Sequence, residues 1–436
     1  MTKESFRFLL CIVVQFKLAM RLSDVCQAFL LPTLNSNEYY FIIPPAGFEL
    51  LCAERGIPFK KGQVLQLLAA VYGLKNASNY WNTELTAWLT GPAGLTQCVN
   101  DPCLFIRKHP FLAVGIHTDD CLTVGSEADL DKFEEQFARK YPIKRLGFPS
   151  KFCGLQVERV AHDQSIRVSM KTFTEKLLEK FWIGKINHCY SPASMDKLED
   201  EDPPDKEHYP VRQACGNLIW LIINVRFDIA AAFNIIARKQ AKPTAKMVRF
   251  IKRVFRYLAA TTDFSLVFKR VPTQHFSLQC SSDSGFDVLT LGGYAWFLGT
   301  SLISWRVLTA KSAVTSTFEA ELFFLCLATK TGVWLVNYAK EVCPQILDND
   351  VVIFNDNKAA IEVVHTGKFS QRTRHMATKC EYIHQQVKNG IFKVEWKATE
   401  ELRADLLTKN FHPEIFRKKL QLFEGAISLR LLSKRG

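Results

Sequence analysis

Apolar residues recur along this chain in two rhythms, and the places where the rhythm changes divide it. Over residues 129–141, DLDKFEEQFARKY sets Leu130, Phe133 and Phe137 at helical spacing, which predicts a surface helix with one apolar face. Just upstream, GIHTDDCLTVG (115–125) flanks Thr-Asp-Asp with short apolar runs, which predicts a β-hairpin carrying Asp119 and Asp120 at its tip. DKLEDEDPPDKEHYP (196–210) has no period and is dense in charge and proline, so it reads as an exposed tether. Two helices are predicted beyond it. RQACGNLIWLIINV is apolar, whereas AKMVRFIKRVFRYLAA turns Val248, Ile251, Val254, Phe255 and Leu258 inward and Arg249, Lys252, Arg253 and Arg256 mostly outward.

From about Phe276 the pattern changes again. FSLQCSSDSG and GGYAWFLGTSLISWR predict consecutive antiparallel strands, and TFEAELFFLCLATKTGVWLVNYAKEV a long helix. A buried strand running into a helix (DVVIFNDNKAAIEVV), another helix, the strand IFKVEWKA and the helix start LRADLLTKNF complete the series. Three strands, helix, strand, helix, strand, helix is the order of a mixed sheet covered by helices. At the other end, KESFRFLLCIVVQFKLAM carries an apolar run too short for a signal peptide and lacks a small-residue cleavage site, so it predicts an amphipathic helix entering a soluble domain. No segment is expected to reach the length needed to span a bilayer.

Composition sharpens this outline. With 436 residues, 48% hydrophobic and 12% aromatic, the chain has room for two or three packed domains and is not generally disordered. Its 56 Lys and Arg against 43 Asp and Glu leave a formal charge of +13, which suits a polyanion, nucleic acid before membrane. Thirteen cysteines without CxxC spacing argue for reduced thiols in the cytoplasm and against a zinc site or disulfide framework.

Against that basic background the acids stand out. Asp119 and Asp120 alone read equally as solvated turn chemistry or as part of a divalent-cation site. In the last third, Asp283 lies in the first strand, Glu321 on the long helix, Asp356 at the carboxyl end of VVIFND and Asp405 near the start of the last helix. A strand's carboxyl end is where such sheets present ligands. Four acids from four elements are expected to converge on two Mg²⁺ ions about 4 Å apart, an arrangement suited to phosphodiester hydrolysis.

SDSGFD, ISW, STFEAELFFL, WL, NDNKAAIEVV and RADLLTKNF resemble, in order, the ribonuclease H motifs of the Pol polyproteins of copia-type LTR retrotransposons. That resemblance implies Asp283, Glu321 (rather than Glu319), Asp356 and Asp405 as metal ligands. Upstream, RLSDVCQAFLLPTLNSNEYYFIIPPAGFE resembles the family's polymerase motif A, LLAAVYGLKNASNYW its nucleotide-pocket segment, and HTDD its YVDD hairpin. These imply Asp24, Asp119 and Asp120 as polymerase carboxylates, Phe29 as the aromatic that excludes a ribose 2′-hydroxyl, and Asn76 in the nucleotide pocket. KRLGFPSKFCGLQVERV and YPVRQACGNLIWLIINVRFDIAAAFNIIAR extend the resemblance through the middle.

The implied fold is α+β. A partial reverse-transcriptase palm (1–135) that lacks the family's N-terminal fingers is followed by thumb and connection helices (136–270) with the tether at 196–210. A ribonuclease H-like mixed-sheet domain (271–436) completes it. The implied function is a fragment of an RNA-directed DNA polymerase in which Mg²⁺-dependent cleavage of RNA:DNA hybrid outweighs polymerisation, with Mn²⁺ able to substitute. Its partners would be hybrid, primer-template and deoxynucleotides, together with missing polyprotein segments, and no membrane. His117, Asn76, Phe286, the segment 306–309, Ala377 and Glu381 depart from the family pattern. The alternative reading is therefore a decayed element copy that at most binds nucleic acid; an integrase-like nuclease is the third.

Overall fold

The computed structural model of the chain describes residues 1–429 apart from 35–38, 182–188, 194–201, 206–207, 274, 286–289, 311–313, 369–373 and 375. Phe286 and much of the expected tether lie outside the described residues. The tether's described part is tied down: Ala245 donates its N–H to Pro203 O at 2.9 Å, and Asp205 to Pro243 O at 3.0 Å. Contacts divide the chain into two units, the first made of Met1 and Ala19–Pro149 and the second of Thr2–Leu18 and everything from Ser150 onward. The sequence divides it instead at 136 and 271. The difference has a pairing origin, because Ile143–Gly147 is a strand of the first unit's sheet, whereas Leu155–Arg159 and Ile166–Ser169 belong to a sheet completed by Ser265–Phe268 and Ile427–Ser428.

In the first unit six strands form one antiparallel sheet in the order Thr96–Gln97, Leu104–Arg107, Leu112–His117, Asp120–Gly125, Ala19–Val25, Ile143–Gly147. The hairpin expected at 115–125 is its centre. The helices Ala77–Thr90 and Glu127–Lys140 cover the sheet, packing Trp81, Leu85 and Trp88 of one and Leu130, Phe133 and Phe137 of the other into a core with Phe105 and Val114. Ser126 caps the second helix by accepting from the Asp129 N–H. Arg21, on strand Ala19–Val25, pairs with Glu127, with Asp131 at 2.8 Å and with Glu134 at 3.1 Å, which fastens that helix to the strand.

In the second unit the helix Lys3–Phe16 is buried from Ser5 to Gln15. It is a helix entering a domain, as expected, but not the amphipathic one. Its apolar run faces inward on every side, the signature of a core helix, and its one interior charge is accommodated by backbone. The buried Arg7 guanidinium donates to the carbonyls of Ile303 (3.2 Å), Ile223 (3.1 Å) and Asn224 (2.8 Å), and burial lowers its pKa to about 10. The basic helix Ala245–Ala260 also differs in part, since of the four cations expected to face mostly outward Arg249 alone is exposed, Arg253 donates to Ser191 Oγ at 3.1 Å, and Lys252 and Arg256 are half-buried.

The last sheet runs Ser301–Thr309, Leu291–Leu298, Phe276–Gly285, Leu347–Asn355, Lys393–Trp396. Its first three strands are antiparallel and the last two run parallel to Phe276–Gly285, the mixed order the sequence predicts. Helix Thr317–Val342 crosses it so closely that a Cβ on Gly332 would meet Trp296 at 2.4 Å and one on Gly292 would meet Phe324 at 2.2 Å. Contrary to the expectation that no segment is long enough, this 26-residue helix has the length and composition to cross a bilayer. Its faces are largely buried in the unit, as the core position of a sheet-covering helix demands.

Candidate active sites

The first unit brings its three acids to one end of two neighbouring strands. Asp24 and Asp120 are register partners on antiparallel strands, so their side chains share a face, and Val25 donates its N–H to Asp119 O at 3.0 Å. Thr118 takes a left-handed conformation (φ 61°) to turn the hairpin, and Trp81 Nε1 donates to its carbonyl at 2.8 Å. Lys144 Nζ lies 3.8 Å from Asp24 Oδ2. Partial burial first, then the charges of Asp119 and Asp24, raise the Asp120 carboxyl above its ordinary pKa. Phe29 is half-buried on a 3₁₀ turn with its ring 5.1 Å from that of Tyr72, and Asn76 is exposed at the start of helix Ala77–Thr90.

The second unit assembles a tighter group. Asp283, Glu321 and Asp356 each offer an oxygen, and the three oxygens lie within 4.8 Å of one another; among the described residues no other trio of metal-binding side chains is so gathered. Topology dictates this: Asp283 sits near the carboxyl end of the central strand, Asp356 just past the end of its parallel neighbour, and Glu321 in the second turn of the long helix laid over both. Glu319 is consumed elsewhere. It accepts from Thr315 N–H at 2.8 Å and its own N–H is capped by Ser316, so it closes the helix start while Glu321 faces the site.

Each carboxylate is held by neighbours that sequence reasoning did not single out. Glu321 Oε1 accepts from Ser284 N–H (3.0 Å) and Oγ (2.8 Å), and its Oε2 from Asn355 Nδ2 (2.9 Å), an amide fixed in turn by the Ser282 carbonyl and the Asn357 N–H. Thr399 donates to Asp356 Oδ2 at 2.7 Å, and Thr408 to Asp283 Oδ2. Asp405 is placed differently from the other three. Buried at the start of the short helix Asp405–Thr408, it gives one oxygen to Lys409 and the other to Lys419 Nζ at 2.5 Å, while Lys409 Nζ also lies 3.4 Å from Asp283 Oδ1. One signal for this was readable, namely Lys409 four residues after Asp405, the helical spacing of an ion pair.

Burial dominates the electrostatics. It pushes Glu321 up to about 8, with the Asp283 charge adding and the Asn355 and Ser284 hydrogen bonds opposing. Asp283 is also raised, by burial first, with Lys409 opposing and Asp405 and Asp356 adding. Burial would lower the Lys409 ammonium, but the Asp283 and Asp405 carboxylates outweigh it and hold it charged. Buried acids this close, at the cost of elevated pKa values, fit a divalent cation with a preference for oxygen ligands.

Residues 1–195 match the family model described as reverse transcriptase (RNA-dependent DNA polymerase). Over 417 residues the chain is 29% identical to the retrovirus-related Pol polyprotein from transposon RE2 of Arabidopsis thaliana, covering 93% of this chain and 27% of that protein. Over 423 residues it is 25% identical to the corresponding polyprotein from transposon TNT 1-94 of Nicotiana tabacum, covering 93% and 31%. The chain thus spans less than a third of the length of these relatives. Among solved structures it is similar to the RNase H1 of the halophilic archaeon Halobacterium salinarum NRC-1, at 12% identity and a TM-score of 0.23 over 30% of this chain and 93% of that one.

Proposed function

This chain belongs to the Pol polyproteins of copia-type retrotransposons, and on that premise we propose that its second unit cleaves the RNA strand of RNA:DNA hybrids with a divalent cation. Mg²⁺ is the natural ion for an all-oxygen site, and Mn²⁺ can replace it. The observation that carries this reading is the trio of buried Asp283, buried Glu321 and half-buried Asp356, gathered where the central strand and its parallel neighbour end. An ion held there would supply Lewis-acid stabilisation of charge building on the scissile phosphate. The protein's own part is positioning: Ser284 and Asn355 fix Glu321, Thr399 fixes Asp356 and Thr408 fixes Asp283, so the ligands need little reorganisation. The +13 chain provides the field that draws a polyanion toward this acidic pocket.

A second reading concerns the first unit, as the palm of an RNA-directed DNA polymerase working on primer-template and deoxynucleotides. The facing of Asp24 and Asp120 across paired strands, with Asp119 in the adjoining turn, supports it. Phe29 would then lie beside the nucleotide sugar and Asn76 in the nucleotide pocket, and the protein would work in the cytoplasm. One hybrid substrate, labelled on its RNA and on its primer, tests both readings. RNA cleavage in Mg²⁺ is expected, abolished by Asp356→Asn and retained by Asp119→Asn. Cleavage that dies with Asp119 and survives loss of Asp356 overturns the assignment. No cleavage in Mg²⁺ or Mn²⁺ leaves the decayed-copy reading, a basic protein that at most binds nucleic acid.

A further inference from the structure

The fourth acid of the second unit is already neutralised from within. We propose that the Lys409 ammonium is a resident cation standing in for a second divalent ion, so that this site loads a single metal, on Asp283, Glu321 and Asp356, with Asp405 serving to hold the lysine. The proposal deepens the hybrid-cleavage reading and rests on it for the site's purpose.

Three observations carry it. Lys409 bridges the two groups, pairing with Asp405 Oδ1 while lying 3.4 Å from Asp283 Oδ1 on the edge of the trio. Each Asp405 oxygen already faces an ammonium, Lys409 at Oδ1 and Lys419 at Oδ2 (2.5 Å), the latter anchored by the carbonyls of Thr399 (2.5 Å) and Glu400 (3.2 Å). A metal using Asp405 would have to share an oxygen with one of these ammonium groups, against their mutual repulsion, or displace it. The charges point the same way: once metal binding has displaced the protons, four carboxylates against the two lysines leave two negative charges, which one divalent ion cancels. A second divalent ion would leave the cluster with two uncompensated positive charges, a surplus that departure of Lys409 would halve. Its side chain is about a third exposed, whereas Lys419 is nearly buried, so Lys409 is the group whose removal would open the second place.

Counting Mn²⁺ ions by electron paramagnetic resonance on the full chain tests this. All arms carry Asp24→Asn, Asp119→Asn and Asp120→Asn, so that the first unit's three acids do not contribute. One ion per chain is expected with the second unit intact, and two with Lys409→Met. Because that variant buries unpaired carboxylates and is the one most prone to misfold, Asp405→Asn provides an independent arm. It should still bind one ion, with affinity changed by no more than about threefold, well under the tenfold that 1.4 kcal/mol brings. Two ions with Lys409 and Asp405 intact, or loss of an ion in Asp405→Asn, overturns the proposal. The count is read without substrate, so a protein that binds one ion yet leaves hybrid uncut sinks the hybrid-cleavage reading alone. A protein that cuts hybrid but binds two ions sinks the lysine alone.

Discussion

The chain carries two groups of acids drawn from separate elements, and they are built on opposite principles. In the first unit Asp24, Asp119 and Asp120 sit at the rim of an antiparallel sheet, partly open to water, and the neighbouring hydrogen bonds go to backbone: Trp81 to the Thr118 carbonyl, Val25 to the Asp119 carbonyl. In the second unit Asp283, Glu321 and Asp405 are buried, Asp356 is half-buried, and serine, asparagine, threonine and lysine side chains are aimed at the carboxylates themselves. Water can relax repulsion at a rim. In a buried site only fixed donors, protons or a cation can, so the second group is the one whose stability should answer strongly to metal and pH.

The largest expected difference is in metal-dependent stability. Mg²⁺ at a hundredfold over its dissociation constant stabilises a folded site by about 2.7 kcal/mol, which for a domain of this size is on the order of 5 °C or more in midpoint. Asp283→Asn should abolish that shift and, by removing a buried charge, raise the metal-free midpoint; Asp119→Asn should leave both nearly as they were. Thermal melts with and without Mg²⁺ measure this. Equal effects of the two substitutions would erase the distinction between a rim and a buried group.

The pH dependence sharpens the contrast. Glu321, raised to about 8, binds its proton more tightly folded than unfolded. Its contribution to metal-free stability is therefore fully present below its unfolded pKa near 4.5 and is lost as pH rises through about 8. Metal-free melts should fall across that window, Glu321→Gln should flatten the fall, and Mg²⁺ should protect increasingly as pH rises. Asp120 is raised too, but it is partly solvated, so Asp120→Asn should alter the same profile far less. A metal-free profile that rises from pH 5 to pH 8 in the second unit would contradict the burial on which the whole contrast rests.

How much of this was legible in sequence follows from the range of the interactions. Asp119 and Asp120 at a hairpin tip, and Asp356 at a strand end, were readable because local alternation and turn residues mark them. Glu321 was separable from Glu319 only through the family resemblance; physically, Glu319 is needed at the helix start. The supporting residues were not legible. Asn355 reaches Glu321 across 34 positions and Thr408 reaches Asp283 across 125, and no periodicity encodes such meetings. The same holds for Ser265–Phe268, which pairs with Ile166–Ser169 and with Ile427–Ser428 and so draws the middle of the chain into the second unit. Burial of Lys3–Phe16 was within reach, since FRFLLCIVV offers no polar stripe.

The Asn355 amide isolates the supporting layer by itself. Asn355→Leu keeps the volume but removes the donor to Glu321, which favours the protonated acid further. It should weaken Mg²⁺ by about tenfold, the lower end of what loss of a ligand-orienting partner costs, as read by calorimetric titration. An unchanged affinity would mean that burial of the trio, without its hydrogen bonds, suffices to hold the ion.

The smallest expected effect belongs to the first unit. Trp81 is buried between sheet and helix, and its indole N–H is the side-chain donor that ties helix Ala77–Thr90 to the turn carrying Asp119. Trp81→Phe keeps an aromatic ring against Tyr141, 5.3 Å away, but deletes that donor, so the Thr118 carbonyl must turn to water. The net loss should be about 1 kcal/mol for the hydrogen bond, with a further cost for the smaller ring. Denaturant melts of the full chain should show the first unit's transition moving alone, with the Mg²⁺-dependent shift of the second unit intact. Because the lost bond ends on backbone and not on a carboxylate, the variant should destabilise the hairpin without changing the pKa of Asp120. A change in the pH profile as large as that of Asp120→Asn would show that the indole acts on the acids after all, and the two groups would then share one principle of construction.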